Sequence, residues 1–299
     1  MLHLASSPIA PVLGQRVPLR GPSRALFRSY AKTPCLPGQL VRTLTTKFGD
    51  DFEVDLSSFL EWQLWAFGAF EEHLAELFGY LVRPGDRCID VGANVGVHST
   101  RLAKLAGPGG EVIAIEPNPE VAARASRNFA LNRLANVRLV RSAASDQAGG
   151  SITLYRAGAE KKNRAQSSVL PLSYLTGTAT QVPVTRVDDL VSGPVALMKI
   201  DVEGHEEAVV AGAAATIEAH SPAIVFEYAP ELQPGTGGSP FGWLQAEGYD
   251  MYRVSNARNR ITGRSNLQLT VLPGLPAIGG DILAIAPAMT PRVGTLITG

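Results

Sequence analysis

The sequence predicts an α/β fold with a mainly parallel sheet and helices on both faces, on three observations. From about residue 85 to 290, short apolar runs alternate with segments of helical periodicity. One run, Cys88-Ile89-Asp90-Val91, feeds a glycine-containing turn, Gly92-Ala93-Asn94-Val95-Gly96, that opens a helix. A second run, Ala196-Leu197-Met198-Lys199-Ile200, ends in a dense group of ionisable residues, Asp201, Glu203, His205, Glu206 and Glu207.

The elements follow in order. Phe52-Glu53-Val54-Asp55-Leu56 alternates like a short strand, and 59–81 carries Trp62, Trp65, Phe67, Phe70, Leu74, Leu77 and Phe78 at helical spacing. Such a stripe reads as core packing by default and as a substrate-facing lid in the sharper alternative. Pro84-Gly85-Asp86 marks the turn into the first central strand. Strands are expected near 88–92, 111–116, 137–142, 196–202, 223–228, 249–254 and 281–286, with helices near 97–106, 119–132, 205–219 and 240–247. Right-handed crossovers then build a parallel sheet with ligands at the carboxyl ends of its strands. Residues 150–187 read as an insertion: two further strands, at 152–155 and 182–187, flank a polar, basic segment suited to a substrate loop. The expected organisation is a basic leader over 1–49, a strand and aromatic-rich helical cap over 50–84, and the main domain over 85–290.

Composition narrows the function classes. The chain has 299 residues, 45% hydrophobic and 18% charged, with zero formal net charge. That is a globular composition, and it gives no reason to expect nucleic acid or an anionic membrane as a partner. The charge is uneven, because residues 1–49 hold five Arg and two Lys with no Asp or Glu. Lacking acids, the leader resembles a mitochondrial transit peptide. The preferred reading, a basic extension on a cytoplasmic bacterial protein, suits a chain with 21 Arg against 6 Lys and abundant Ala, Gly and Pro. No apolar run approaches the roughly 18 residues that a membrane span needs. Cys35 and Cys88 are the only cysteines, too few for a disulfide framework or Cys-based zinc spacing.

The glycine turn reads as a nucleoside cradle. Free backbone N–H groups at a helix start face the ligand, and Glu116, closing the next strand, can accept both hydroxyls of a ribose. A dinucleotide site wants G-x-G-x-x-G so that pyrophosphate meets bare backbone. Here the pattern is Asp90-x-Gly92-x-Asn94-x-Gly96. An acid before the glycines repels pyrophosphate but suits a ligand carrying ammonium and sulfonium charge, which points to S-adenosyl-L-methionine. Asn94 replaces the middle glycine, and Asn tolerates the left-handed backbone such a turn requires.

At the second constellation, period-two alternation puts Lys199, Asp201 and Glu203 on one side of the strand, and Gly204 permits a sharp turn into a helix. Glu206 and Glu207 are accounted for by the helix dipole. Asp201, Glu203 and His205 are not, since an acid at a crevice is costly to bury unless something uses it. Two carboxylates and a histidine can bind a divalent ion, with Glu227 as a further ligand. Acid and base work on a substrate hydroxyl is the preferred use.

Asp90-Val91-Gly92-Ala93-Asn94-Val95-Gly96, Glu116-Pro117-Asn118, Ala143-Ala144-Ser145-Asp146, Thr185-Arg186-Val187-Asp188-Asp189-Leu190, Lys199-Ile200-Asp201-Val202-Glu203-Gly204-His205-Glu206 and Phe226-Glu227 together resemble the FkbM family of methyltransferases over roughly 68–255. The Lys-Ile-Asp-Val-Glu-Gly block is the most specific of these. The resemblance implies a Rossmann-like class I methyltransferase fold and transfer of a methyl group from S-adenosyl-L-methionine to a hydroxyl of a sugar, polyketide or other secondary metabolite. Carried over by position, it implies that Asp90, Gly92, Asn94 and Gly96 surround the methionine part and that Glu116 binds the ribose. It puts Ala143 and Asp146 near adenine, and Asp201 near the transferred methyl with Glu203 and His205 beside it.

For such a reaction His205 is the expected base, with Asp201 orienting it or the substrate. Three rivals stand beside this reading: a metal-assisted transfer through Asp201 and Glu203, an inactive cofactor-binding module that docks through 59–78, and a nicotinamide oxidoreductase, which Asp90 and the missing middle glycine disfavour.

Overall fold

The computed structural model describes residues 41–158, 166–230, 232, 240–256 and 267–298. The chain begins there with a hairpin, β1 (Val41–Thr45) and β2 (Asp51–Asp55), and two helices, α1 (Phe59–Phe67) and α2 (Glu72–Leu81). Then come β3 (Arg87–Val91), α3 (Val97–Ala106), β4 (Glu111–Ile115), α4 (Pro119–Leu131) and β5 (Val137–Val140). The inserted region supplies β6 (Ala143–Ala144), β7 (Ser151–Arg156), β8 (Ser167–Ser168) and β9 (Ala179–Thr185). The second half runs β10 (Leu197–Ile200), α5 (Glu206–Ala211), α6 (Ala214–His220), β11 (Ala223–Tyr228), α7 (Phe241–Ala246), β12 (Asp250–Asn256), β13 (Leu267–Val271), β14 (Gly280–Ile285) and β15 (Ile297–Thr298).

Nine of these strands form one sheet in the order β15-β13-β12-β14-β11-β10-β3-β4-β5. The pairs from β11 to β5 are all parallel, while β14 enters antiparallel between β11 and β12. This is the Rossmann-like class I methyltransferase arrangement. The chain winds outward from β3 through β4 to β5, then returns to the other flank of β3 with β10, so strand order reverses between β3 and β10. A crevice opens at such a switch point, outside the carboxyl ends of the two strands.

Burial on both faces explains why the central strands read as continuous apolar runs. Cys88, Val112, Leu197, Val225 and Leu283 face α2 and α3, meeting Leu74, Leu77, Phe78, Leu81 and Leu102. Their neighbours Ile89, Ile113, Met198, Ile224 and Ala284 face the opposite way, onto Val209, Ile217 and Leu244. Each large side chain sealed this way contributes roughly 1.5–3 kcal/mol of transfer free energy. Cys88 is one of these packed hydrophobes, and burial pushes its thiol pKa upward, away from reactivity.

Three expectations needed correction. Of the leader expected over 1–49, residues 41–45 form a strand whose register runs from Val41 opposite Asp55 to Thr45 opposite Asp51; residues 1–40 lie outside the described residues. The single helical stripe over 59–81 is two helices, because Gly68 adopts a left-handed conformation (φ 70°) and its N–H caps the Leu64 carbonyl. The helix expected over 205–219 is divided at Gly212, where a Cβ would stand 1.9 Å from the Ser145 carbonyl oxygen. Strands β1 and β13 had no sequence signal strong enough to declare them.

The hairpin and α1 share a core of Phe52, Val54, Leu56, Trp62, Leu64 and Trp65. Glu61, fully buried, accepts from the Asp55 N–H at 2.7 Å and pairs with the guanidinium of Arg124 on α4. Asn128, also fully buried, accepts from the Glu53 N–H and donates to the Val95 carbonyl, both at 2.9 Å. One side chain on α4 therefore holds the hairpin and the glycine turn together. The inserted strands form a separate sheet, ordered β6-β9-β7-β8, beside the crevice. Among the described residues no helix is long and apolar enough to cross a membrane.

Candidate active site at the carboxyl ends of β3 and β10

The turn after β3 is built from three left-handed residues, Gly92 (φ 79°), Asn94 (φ 52°) and Gly96 (φ 87°). Asn94 takes the conformation that a middle glycine would take. The N–H groups of Gly92 and Ala93 both donate to the Ile115 carbonyl at 3.0 Å, tying the turn to β4. A Cβ at residue 92 would stand 1.8 Å from the Asp201 carbonyl oxygen, so glycine is what lets the ends of β3 and β10 meet. At residue 96 a Cβ would meet the Phe129 ring edge at 2.5 Å. Gly96 serves helix packing, and it does not line the cleft.

Glu116 leaves β4 into the same cleft. Its Oε2 accepts from the Asn94 N–H at 2.9 Å and its Oε1 from the Asn118 N–H at 2.8 Å. Each oxygen keeps a second lone-pair direction for a ligand hydroxyl. Burial pushes its pKa up to about 7, against the lowering effect of the two backbone donors.

The cleft is lined by Gly92, Ala93, Asn94, Glu116 and Ala143 on one side and by Lys199, Asp201, Glu203, His205 and Glu227 on the other. Phe59, Leu60 and Phe70 border it from α1 and the segment before α2. The aromatic stretch thus divides its work: Trp62 and Trp65 are core, while Phe59 and Phe70 face the cleft.

Besides Gly96, two residues expected at the cofactor do not line this cleft. Asp90 is completely buried beneath the cleft, accepting from the Ser99 hydroxyl at 2.5 Å and lying 3.7 Å from the Lys199 ammonium. Its charge answers Lys199. Asp146 is exposed behind the cleft wall, where its Oδ1 accepts from the Ser145 hydroxyl at 3.0 Å. The family resemblance, and for Asp90 its charge before the glycines, had put both against the ligand.

Lys199 is the electrostatic centre of the β10 end. Burial pulls its pKa down, but Asp201 (3.1 Å) and Asp90 more than reverse the effect, and the net shift is upward. Glu203 has a left-handed backbone (φ 54°) and accepts from Gln166 at 2.7 Å and from the Tyr174 hydroxyl at 3.2 Å. Burial and then the Asp201 charge push it up to about 7. For Glu227 the same two causes, with Glu203 added, push it up to about 8. Burial lowers the His205 pKa, with Asp146 opposing, so the imidazole is neutral at neutral pH. Glu206 builds the turn, accepting from the N–H groups of Val202 (3.2 Å) and Gly204 (3.1 Å).

Glu71 and His98 line the cleft without having been singled out from the sequence. Glu71 is left-handed (φ 44°), and its Oε2 lies 2.8 Å from His98 Nε2, with the Phe78 ring edge-on to the imidazole at 5.5 Å. His98 lies two residues past Gly96, and this nearness to the turn was the available signal. Among the described residues, no group of three or more His, Cys, Asp or Glu is arranged to hold a metal ion.

The model of the methyltransferase FkbM domain matches residues 90–251, which spans both strand ends and every wall of this cleft except the border made by α1 and the segment before α2. The chain belongs to the FkbM methyltransferase domain family. Among curated FkbM relatives it is similar to the 31-O-demethyl-FK506 methyltransferase FkbM of Streptomyces tacrolimicus, 33% identical over 162 residues. That match covers 45% of this chain and 62% of the relative, less than two thirds of its length. Among solved structures, an S-adenosylmethionine-dependent O-methyltransferase from Thermotoga maritima is 15% identical, covering 87% of this chain and 81% of that one at a TM-score of 0.42. The FkbM methyltransferase from Methylobacillus flagellatus is 12% identical, covering 75% and 52%, at 0.37. Overlaps this loose bear on neither activity nor substrate.

Proposed function

We propose that this FkbM-family protein transfers a methyl group from S-adenosylmethionine to a hydroxyl oxygen of a small acceptor, of the sugar, polyketide or secondary-metabolite kind. The observation that carries the reading is the meeting, in one cleft, of the β3 turn and Glu116 with Asp201, Glu203 and His205. The name of the Streptomyces tacrolimicus relative, which specifies methylation at an oxygen, supports the choice of atom.

The residues present fit this cofactor. Glu116 retains lone pairs for a ribose diol, small residues at 92 and 93 admit close approach, and Ile115, Pro117, Ala143 and Leu154 offer an apolar wall for a base. Glu71 supplies a carboxylate for an ammonium group. When bound, S-adenosylmethionine supplies an electrophilic methyl carbon whose bond to sulfur breaks, leaving its electron pair on sulfur, as the acceptor oxygen forms the new bond.

The chain's own task is positioning and proton removal. Holding an acceptor oxygen in line supplies most of the rate, since well-oriented reactants reach effective molarities worth roughly 7–11 kcal/mol. His205, neutral and lining the cleft, takes the hydroxyl proton. Asp201, pinned by Lys199, orients the acceptor, and Glu203 and Glu227, raised toward neutrality, bind further hydroxyls as donors or acceptors. The test is turnover against a panel of hydroxylated acceptors by wild type, His205→Ala and Asp201→Asn. Both variants should bind cofactor normally and lose about 10²–10⁴-fold in kcat, the range for a general base. Near-normal turnover in both would refute the assignment.

A further inference from the structure

We propose that Ser145 and Asp146 form a positioning relay for His205, fixing the proton on Nε2 and leaving Nδ1 as the bare basic nitrogen; the inference deepens the reading of His205 as base and rests on it for its catalytic meaning.

The relay follows from counting protons. The Ser145 hydroxyl lies 3.0 Å from Asp146 Oδ1 and 3.0 Å from His205 Nε2. A carboxylate only accepts, so the contact with Asp146 uses the single hydroxyl proton. Ser145 therefore has only a lone pair to offer His205, and Nε2 must carry a hydrogen. In the neutral ring Nδ1 is then the acceptor. Among the described residues no side chain or backbone group is hydrogen-bonded to Nδ1, and His205 lines the cleft. When Nδ1 takes a proton from an acceptor hydroxyl, the resulting imidazolium keeps its Nε2–H on Ser145. The hydroxyl dipole, already aimed at the Asp146 carboxylate, stabilises the new charge.

The scaffold makes this geometry rigid. Ser145 is 4% exposed, and its N–H donates to the Thr185 carbonyl at 3.0 Å, continuing the β6–β9 pairing. Its carbonyl oxygen fills the space left by the missing side chain of Gly212. His205 and Gly212 are the two caps of α5. Both ends of that short helix therefore rest on one residue, the imidazole on the hydroxyl and the glycine on the carbonyl. Asp146 is exposed and outside the cleft wall, so its contact runs through Ser145. Among the described residues, burial lowers the His205 pKa and the charge of Asp146 opposes it.

The decisive experiment is nitrogen-15 NMR of the full chain without ligand, with the His205 signals assigned by their absence in His205→Ala. Above the pH at which the ring loses its charge, wild type should show the neutral His205 predominantly protonated at Nε2. Ser145→Ala, which removes only the hydroxyl, should turn this into a mixture of tautomers, and Ser145→Thr, which restores a hydroxyl, should recover the single form. Asp146→Asn, at an exposed position, should lower the His205 titration midpoint. An Nδ1–H tautomer in wild type, or a tautomer unchanged in Ser145→Ala, would overturn the relay whatever the activity. The catalytic reading fails separately: if the relay is found but His205→Ala keeps its turnover, His205 is positioned and is not the base. With an acceptor in hand, Ser145→Ala should lower kcat about tenfold at unchanged cofactor affinity, a fraction of the base's own contribution.

Discussion

The carbonyl oxygen of Asp201 occupies the space that a side chain at residue 92 would need, 1.8 Å from an ideal Cβ there. The two strand ends carrying the glycine turn and the proposed chemistry are thus locked by a backbone contact that only glycine allows. The Asp201 N–H donates back to the Val91 carbonyl at 3.0 Å, closing the junction.

Gly92→Ala should therefore be severe. Its clash is with backbone, and φ is positive, so neither partner can yield cheaply. A loss of about 2–5 kcal/mol is expected from overpacking and backbone strain together. Thermal denaturation would read this, and cofactor titration should show binding abolished. Gly96→Ala, where the obstacle is the edge of the Phe129 ring, should cost less.

Asn128→Leu should couple stability to the cofactor site from a distance. Its amide satisfies the Glu53 N–H and the Val95 carbonyl, and a similarly sized apolar side chain would orphan both. Each buried orphan costs about 1–3 kcal/mol. Urea denaturation should show the loss, and cofactor affinity should fall as the turn loosens. Unchanged affinity with reduced stability would mean that the turn holds itself.

Carboxyl burial in the cleft sets a pH dependence of folding. Glu116, Glu203 and Glu227 are raised from an ordinary 4.5 to about 7, 7 and 8. Between pH 4.5 and 8 the folded chain holds protons that the unfolded chain has released. The stability contributed by these groups is full below 4.5 and is lost as pH rises through 7 to 8. His205, lowered in the fold, works in the opposite sense below 6.5. Three carboxyls outweigh one imidazole, so the thermal midpoint of the ligand-free protein should fall from pH 5 to 8.5. Glu227→Gln should flatten the upper part of that curve.

Most of the fold was legible because the central strands are buried on both faces and so appear as uninterrupted apolar runs, as in Val112-Ile113-Ala114-Ile115 and Ala223-Ile224-Val225-Phe226. The substitution of Asn94 for glycine was legible for the same local reason, a left-handed turn. What the sequence hid was tertiary. Nothing local says that Gly212 must break a helix to admit the Ser145 carbonyl, or that Val41–Thr45 has a partner strand. Asp90 looked like a ligand group because its position in the turn motif is local, whereas its ion pair with Lys199 comes from the register of β3 with β10, which pairs the two residues side by side. Glu71 and His98 reach the cleft only because α2 and α3 pack together.

The central claim, that the β3 turn and Glu116 hold S-adenosylmethionine, is tested most directly by calorimetric titration of wild type and Glu116→Ala with S-adenosylmethionine and its demethylated product. Saturable binding of both by wild type, weakened at least about tenfold in the variant by the loss of a charged hydrogen-bond acceptor, is the predicted result. Absence of binding by wild type, or equal affinity in Glu116→Ala, would contradict it.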